Sequence, residues 1–303
     1  MKNNFYSNGK LLITAEYLIL NGAKGLALPT VFGQDLVVKK INSPELVWES
    51  FDKNNATWFK NIYQLPDISI DNSNKESEIA ITLQKILKEA RKLNPEFLNT
   101  NTGFQVRTKL TFQRNWGLGS SSTLINNIAK WARINAFDLL NNSFGGSGYD
   151  IACAENNTSI LYQIRNKTPK IEKVNFNPVF RDQLYFIHLN QKQNSRSEII
   201  NFLRNKKEIQ AEAKEISGLT IEILNSSTIA DFENILKEHE KIIASIVGKK
   251  PIQKELFFDY FGQTKSLGAW GGDFILATGN EDTTAYFKNK GFETVIPYNK
   301  MIL

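Results

Sequence analysis

The residues best suited to chemistry lie in "NWGLGSSST", positions 115–123. Gly117 and Gly119 precede three consecutive hydroxyls, Ser120, Ser121 and Ser122. An alternating run comes before them and a helical period after. The first N–H groups of a helix are unpaired and carry partial positive charge. Glycines let the backbone approach an anion closely, and hydroxyls add donors, one of which can also reach Mg²⁺. Such a turn can grip a phosphate. The alternative is a polar turn in which a serine caps the helix. Two other phosphate patterns do not fit. A Walker A loop needs a lysine after the glycines, and none follows here. The dinucleotide fingerprint needs a third glycine, where Ser122 stands, and belongs near the first strand of its fold. A second stretch, "GSGYDIACA", places Asp150 just after Ser147 and Gly148. A carboxylate there can accept a hydroxyl proton within hydrogen-bond reach, or serve only as a turn residue.

The elements around these residues follow from periodicity. In "FQVRTKLTF", residues 104–112, Phe104, Val106, Thr108, Leu110 and Phe112 share one face of a strand. Beyond the glycines, Leu124, Ile128 and Trp131 recur at helical spacing, with Ile125, Ala129, Ala132 and Ala136 beside them. Ile79, Leu83, Ile86, Leu87 and Ala90 predict a helix over about 76–92. "KLLITAEYLILNG" reads as short strands turning at Asn21-Gly22, and "NKTPKIEKVNFNP" as a connector. Helices are expected near 196–206, 207–225 and 228–246, the last with a stripe of Phe232, Ile235, Leu236, Ile242, Ile243 and Ile246. Strands and helices mix throughout, which predicts an α+β protein of two domains, 1–170 and 171–303.

The chain has 303 residues, 41% of them hydrophobic, enough for one large or two modest cores. Its formal charge of +6 is scattered and not gathered in a block. That argues for a lysine-rich surface that suits anionic small substrates, and against nucleic acid. The single cysteine, Cys153, forbids an intramolecular disulfide, and two histidines make a zinc site of Cys/His spacing unexpected. Glu16 interrupts the apolar N-terminal stretch, and no run of about 18 apolar residues occurs. The expectation is a cytoplasmic protein with no membrane partner, a monomer or homodimer.

Four stretches in order, "SNGKLLITAEYLIL", "GLGSSS", "GSGYDIACA" and "KSLGAWGGDFILATG", resemble the signature set of the GHMP kinases, nearest to phosphomevalonate and then mevalonate kinases. The resemblance runs over nearly the whole chain. It implies a ribosomal-protein-S5-like N-terminal domain and a ferredoxin-like C-terminal domain. ATP and Mg²⁺ would be the cofactors, and a small anionic acceptor the partner. By resemblance, Asp150 is the catalytic carboxylate and Lys10 the lysine paired with it. Asn115, Gly117, Leu118, Gly119, Ser120, Ser121 and Ser122 form the phosphate loop, with Ser121 touching the metal. Glu16, Tyr17, Ser147 and Gly148 lie near the acceptor; the alternative for Glu16 is a strand residue at a surface edge. Ser195 and Arg196 occupy a place suited to an acceptor phosphate, or form a solvated loop with a helix cap. Gly268, Gly271 and Gly272 form a C-terminal glycine loop, in which Trp270 replaces a family glycine. Trp116 covers the nucleotide or packs in the core, and His239 reads as a satisfied, partly buried histidine, with a catalytic one as the alternative. The metal-binding glutamate of many relatives has no clear counterpart between Ser121 and Asp150.

Overall fold

The computed structural model describes residues 2–70, 77–191, 202, 209–268, 270 and 272–303. The architecture is α+β, as expected, and the chain forms two compact units. Neither unit is one continuous stretch. The first takes in residues up to Gly9, Phe32–Arg114 and Leu118–Glu155; the second takes in Lys10–Val31, Asn115–Gly117 and Asn156–Leu303.

In the first unit, the end of β2 (Gly25–Ile41) pairs antiparallel with β6 (Gly103–Leu110), with Val38 opposite Val106. β6 runs parallel to β3 (Glu45–Phe51), and β4 (Thr57–Gln64) and β5 (Ser69–Ile70) continue the sheet. Among the described residues the helices α1 (Glu78–Leu93), α2 (Ser120–Ala132), α3 (Ala136–Ser143) and α4 (Tyr149–Glu155) accompany it. Leu36, Trp48 and Val106 from the strands share one buried cluster with Leu83, Leu87, Ile125, Leu139 and Ile151 from the helices. The alternation expected of β6 is present, since Val106, Thr108 and Leu110 are buried while Arg107 is exposed. α1 starts where its Ser77 cap accepts the Ala80 N–H at 3.1 Å. The long helix read from residue 124 through Ala136 is broken. Arg133 takes a left-handed conformation and Asn135 caps a new helix through the N–H groups of Phe137 and Asp138.

In the second unit, the start of β2 pairs with β7 (Ile160–Arg165), and β7 with β8 (Thr168–Lys173). The stretch expected as a connector therefore contains a strand. Asn166 and Lys167 both adopt positive φ, which closes a tight hairpin. A separate antiparallel sheet has the order β10 (Thr264–Ser266), β11 (Phe274–Thr278), β9 (Leu184–His188), β12 (Val295–Pro297). Among the described residues this unit also holds the helices α5 (Gln210–Asn225), α6 (Ile229–Val247), α7 (Ile252–Leu256), α8 (Thr283–Asn289) and α9 (Tyr298–Met301). Phe232, Leu236, Ile242 and Ile243 of the expected α6 stripe are buried. The hairpin expected at Asn21-Gly22 is instead a 3₁₀ turn, Leu18–Asn21, ended by a left-handed Gly22. The helix expected at 196–206 lies outside the described residues, Phe202 apart. Among the described residues no helix is long and apolar enough to cross a membrane.

Candidate phosphate-binding site

The turn before α2 has the backbone that its glycines allow. Gly117 has φ 64° and Gly119, the residue before the helix, has φ 88°. A residue with a Cβ pays roughly 1–2 kcal/mol for that left-handed region, and glycine does not. No side chain caps α2. The serine-cap alternative is thus overturned, and the first-turn amides are left to a ligand or solvent. Leu118 is fully buried and pins the turn to the core. Ser122 is also buried, and its Oγ donates to the Gly119 carbonyl at 2.8 Å, so it shapes the turn from within. Ser121 is exposed and Ser120 half-buried on the first turn.

A buried polar ladder holds α2 in place within the first unit. Thr123 Oγ1 donates to Gln34 Oε1 at 2.7 Å, and Asn127 Nδ2 to the Gln34 carbonyl at 2.9 Å. Ser7 Oγ donates to Asn127 Oδ1 at 2.7 Å and receives Asn126 Nδ2 at 2.9 Å. Satisfied buried polar groups of this kind fix one register of a helix against its strands. α4 packs against α2 and carries Asp150, half-buried, in its first turn. Gly148 is buried with φ 83°, and its carbonyl accepts the Ala152 N–H at 3.1 Å. Ser147 is half-buried beside it.

In the second unit, residues 115–117 are held from several sides. Lys10, in β1 (Lys2–Leu12), donates its Nζ to the Gly117 carbonyl at 3.0 Å. His188 Nδ1 accepts the Asn190 N–H at 3.3 Å, which assigns the ring proton to Nε2. That Nε2 lies 3.2 Å from the Asn115 carbonyl and donates to it. Trp116 is half-buried and meets Phe274 edge-on at 5.6 Å, a packing role. The Asp273 carboxylate fills the space beside Gly117, where a Cβ would collide with it. Sequence reasoning passed over His188 and Asp273, because a strand-end histidine and a turn aspartate carry no periodic signal. Gly268 has φ 60° and Gly272 is buried. Trp270 is only 1% exposed, so its ring points into the core. Ser195, Arg196 and Gly271 lie outside the described residues.

Glu16 is not a surface-edge strand residue. It is fully buried in a non-strand turn, between left-handed Ala15 and Tyr17, and Tyr17 is buried too. Its carboxylate is ion-paired with Lys265, itself fully buried, whose Nζ also donates to the Ser266 carbonyl at 2.8 Å. Burial pushes the Glu16 carboxyl up to about 7, against the opposing pull of Lys265. His239 Nε2 accepts the Ala15 N–H at 3.1 Å, and burial followed by the Lys265 charge holds this imidazole neutral. Glu240 is buried alongside and accepts from Ser266 Oγ at 3.0 Å and from the Ile252 N–H at 3.3 Å. Burial raises its carboxyl as well. This cluster ties the turn after β1 to α6 and to the strand that leads into Gly268.

An uncapped helix start behind left-handed glycines suits a polyphosphate. For Mg²⁺, the described residues hold no group of three His, Cys, Asp or Glu side chains able to cage a metal. Mg²⁺ commonly keeps several waters and takes one or two protein ligands beside substrate phosphates, so an exposed first-turn hydroxyl such as Ser121 fits it.

A strand, a left-handed glycine turn and an uncapped helix stand on this α+β frame, and solved structures show its fold to be that of the GHMP kinases. Mevalonate kinase from Methanococcus jannaschii is 16% identical, with a TM-score of 0.70 over 97% of this chain and 96% of that one. Phosphomevalonate kinase from Streptococcus pneumoniae, solved with phosphomevalonate and AMPPNP, is 16% identical, with a TM-score of 0.69 over 95% of each chain. Galactokinase from Lactococcus lactis, solved with galactose, is 12% identical, with a TM-score of 0.67 over 95% of this chain and 88% of that one. No protein-family model matches the sequence, and no curated protein matches it. The likeness is one of fold.

Proposed function

We propose that this protein is an ATP-dependent small-molecule kinase whose acceptor is a mevalonate-type acid, phosphomevalonate ahead of mevalonate. The observation that carries this reading is the start of α2, with no side-chain cap, behind Gly117 and Gly119 in left-handed conformations. The amides from Gly119 to Ser121 grip the triphosphate, and Leu118 and Ser122 hold them in shape. Phosphoryl transfer needs positioning and charge neutralisation more than covalent help from the protein. Lys10 supplies a fixed ammonium that stabilises charge developing on the transferred group. Asp150 orients the acceptor and takes its proton where the acceptor is an alcohol. An acceptor that is already a phosphate needs no base, and there Asp150 acts by orientation. Mg²⁺, held by Ser121, the phosphates and water, neutralises phosphate charge when bound. Glu16 and Tyr17 act from below the surface, by shaping the turn after β1. The enzyme works in the cytoplasm as a monomer or homodimer, and its positive charge favours an anionic acceptor.

Two structural neighbours support the acceptor class by their own ligands and names, a mevalonate kinase and a phosphomevalonate kinase bound to phosphomevalonate and AMPPNP. ADP release measured over mevalonate, phosphomevalonate, homoserine and galactose tests the reading. Turnover is expected with one mevalonate-type acid. Turnover on galactose or homoserine alone would move the protein to another acceptor class. Nucleotide binding without ADP release from any acceptor would reduce it to a nucleotide-binding protein.

A further inference from the structure

Phe258 and Phe261 face solvent from the turn after α7, 80% and 54% exposed. The stretch "LFFDYFG", residues 256–262, divides its rings between two sides. Phe257 and Tyr260 are buried in one cluster with Phe287, while Phe258 and Phe261 turn outward. Hydrogen bonds fix the turn. The Phe257 N–H donates to the Gln253 carbonyl at 3.2 Å, and the Tyr260 N–H to the Phe257 carbonyl at 3.1 Å. Gln253 Nε2 donates to the Gly262 carbonyl at 3.0 Å, and the Tyr260 hydroxyl to the Thr278 carbonyl at 2.7 Å. The outward rings are joined across the surface by α8. Phe261 lies 6.4 Å from the Tyr286 ring, and Lys290 Nζ lies 5.2 Å from that ring and 5.9 Å from Phe258. All of these residues belong to the second unit. One exposed apolar residue is ordinary, but two phenylalanines fixed outward and joined through a tyrosine are the anchors that interfaces use.

The charges on this face come in opposite pairs. Asp259 Oδ1 accepts the Tyr286 hydroxyl at 2.7 Å and pairs with Lys290 Nζ at 2.9 Å, and both charged residues are exposed. Lys254 and Glu255, on the adjoining turn of α7, are exposed as well. These four charges cancel, although the whole chain carries +6. A nucleic acid or an acidic membrane would need a surplus of cations here, and the four provide none. A second copy, turned by a two-fold axis, brings the same face with the same pairs, so each cation can meet an anion of the other copy. An aromatic centre inside a rim of both signs is also the usual make-up of a protein interface. We infer that Phe258, Phe261 and Tyr286 form a self-complementary face through which two copies of this chain associate, with Asp259 of each copy facing Lys290 of the other. The face uses no residue of the candidate phosphate site.

Sedimentation velocity of the whole protein over a series of concentrations tests this. The wild type is expected to sediment as a dimer that dissociates on dilution. Phe258→Ser should raise the dimer Kd by about tenfold or more, the effect of truncating a central aromatic anchor. A ring so far exposed supports no core, so the variant should still fold. Asp259→Lys and Lys290→Asp, each alone, set like charges across the axis and should leave monomers. An equimolar mixture of these two variants restores opposite charges at both contacts and should sediment as a heterodimer, a recovery that a folding defect would not allow. Wild-type protein that stays monomeric at every concentration overturns the inference, and vesicle binding that Phe258→Ser abolishes would then give the face to a membrane. A dimer that Phe258→Ser leaves unmoved overturns it too, as do charge variants that dimerise as well alone as mixed, because the copies then meet elsewhere.

Discussion

Asparagine in place of Asp150 is expected to lower turnover of the preferred acceptor by about 10²–10⁴-fold, the range general acid–base groups supply. Nucleotide affinity should stay within about threefold of wild type, since the substitution spares every amide of the phosphate turn. The side chain is nearly isosteric, and α4 is held by Ile151, Ala152, Cys153 and Ala154, all buried, so the helix should survive the change. A steady-state comparison of kcat and KM for both substrates, run with a binding titration, separates the outcomes. Loss of kcat at constant nucleotide affinity assigns Asp150 to the transfer step. Equal turnover in the two proteins removes it from the mechanism. The size of the loss also bears on the acceptor. A deep loss points to an alcohol that must surrender its proton, and a shallow one to a phosphate that needs only orientation.

Methionine in place of Lys265 is expected to destabilise the fold by about 3–5 kcal/mol, because it strands the Glu16 carboxylate in the core without its cation. The cost should depend on pH with a definite sign. Glu16 has its folded pKa raised to about 7 by burial, above the unfolded value of 4.5. The folded protein therefore binds the proton more strongly. This group's contribution to stability is fully present below the unfolded pKa and is lost as pH rises through the folded one. Without Lys265 the carboxyl moves higher still, so Lys265→Met should cost most near pH 8 and least near pH 5, where Glu16 is protonated. Adding Glu16→Gln removes the stranded charge, and the double variant should recover much of the lost stability. Urea titrations of the wild type, the single variant and the double variant at both pH values check this. A single variant as stable as wild type at pH 8 would mean that the pair is solvated in solution.

The frame around the candidate site was legible in the sequence because it lies in local periods. Alternation from Phe104 to Leu110 marked β6, and the glycines marked the turn. The helical spacing of Leu124, Ile128 and Trp131 marked α2. The stripe of Ile79, Leu83, Ile86, Leu87 and Ala90 marked α1 for the same reason. What stayed hidden depends on partners distant in the chain. Lys265 and Glu16 are 249 residues apart, and no local period joins them. Glu240 sits on the apolar side of α6 only because Ser266 and Ile252 satisfy it there. β8 was read as a connector because most of its side chains are exposed, so no apolar alternation signals the strand. The break after α2 depends on a left-handed Arg133, a conformation that no residue-type rule assigns to arginine. Within the site itself, the glycines and serines were readable. His188 and Asp273 became visible only where the fold set them against Asn115 and Gly117.

The central claim is that the amides at the start of α2 hold the nucleotide's phosphates. A crystal structure of the protein with Mg²⁺ and a non-hydrolysable ATP analogue tests it most directly. The account predicts the β- and γ-phosphates within hydrogen-bond distance of the backbone N–H groups between Gly119 and Ser121. A triphosphate lodged elsewhere, with those amides facing solvent, would contradict it.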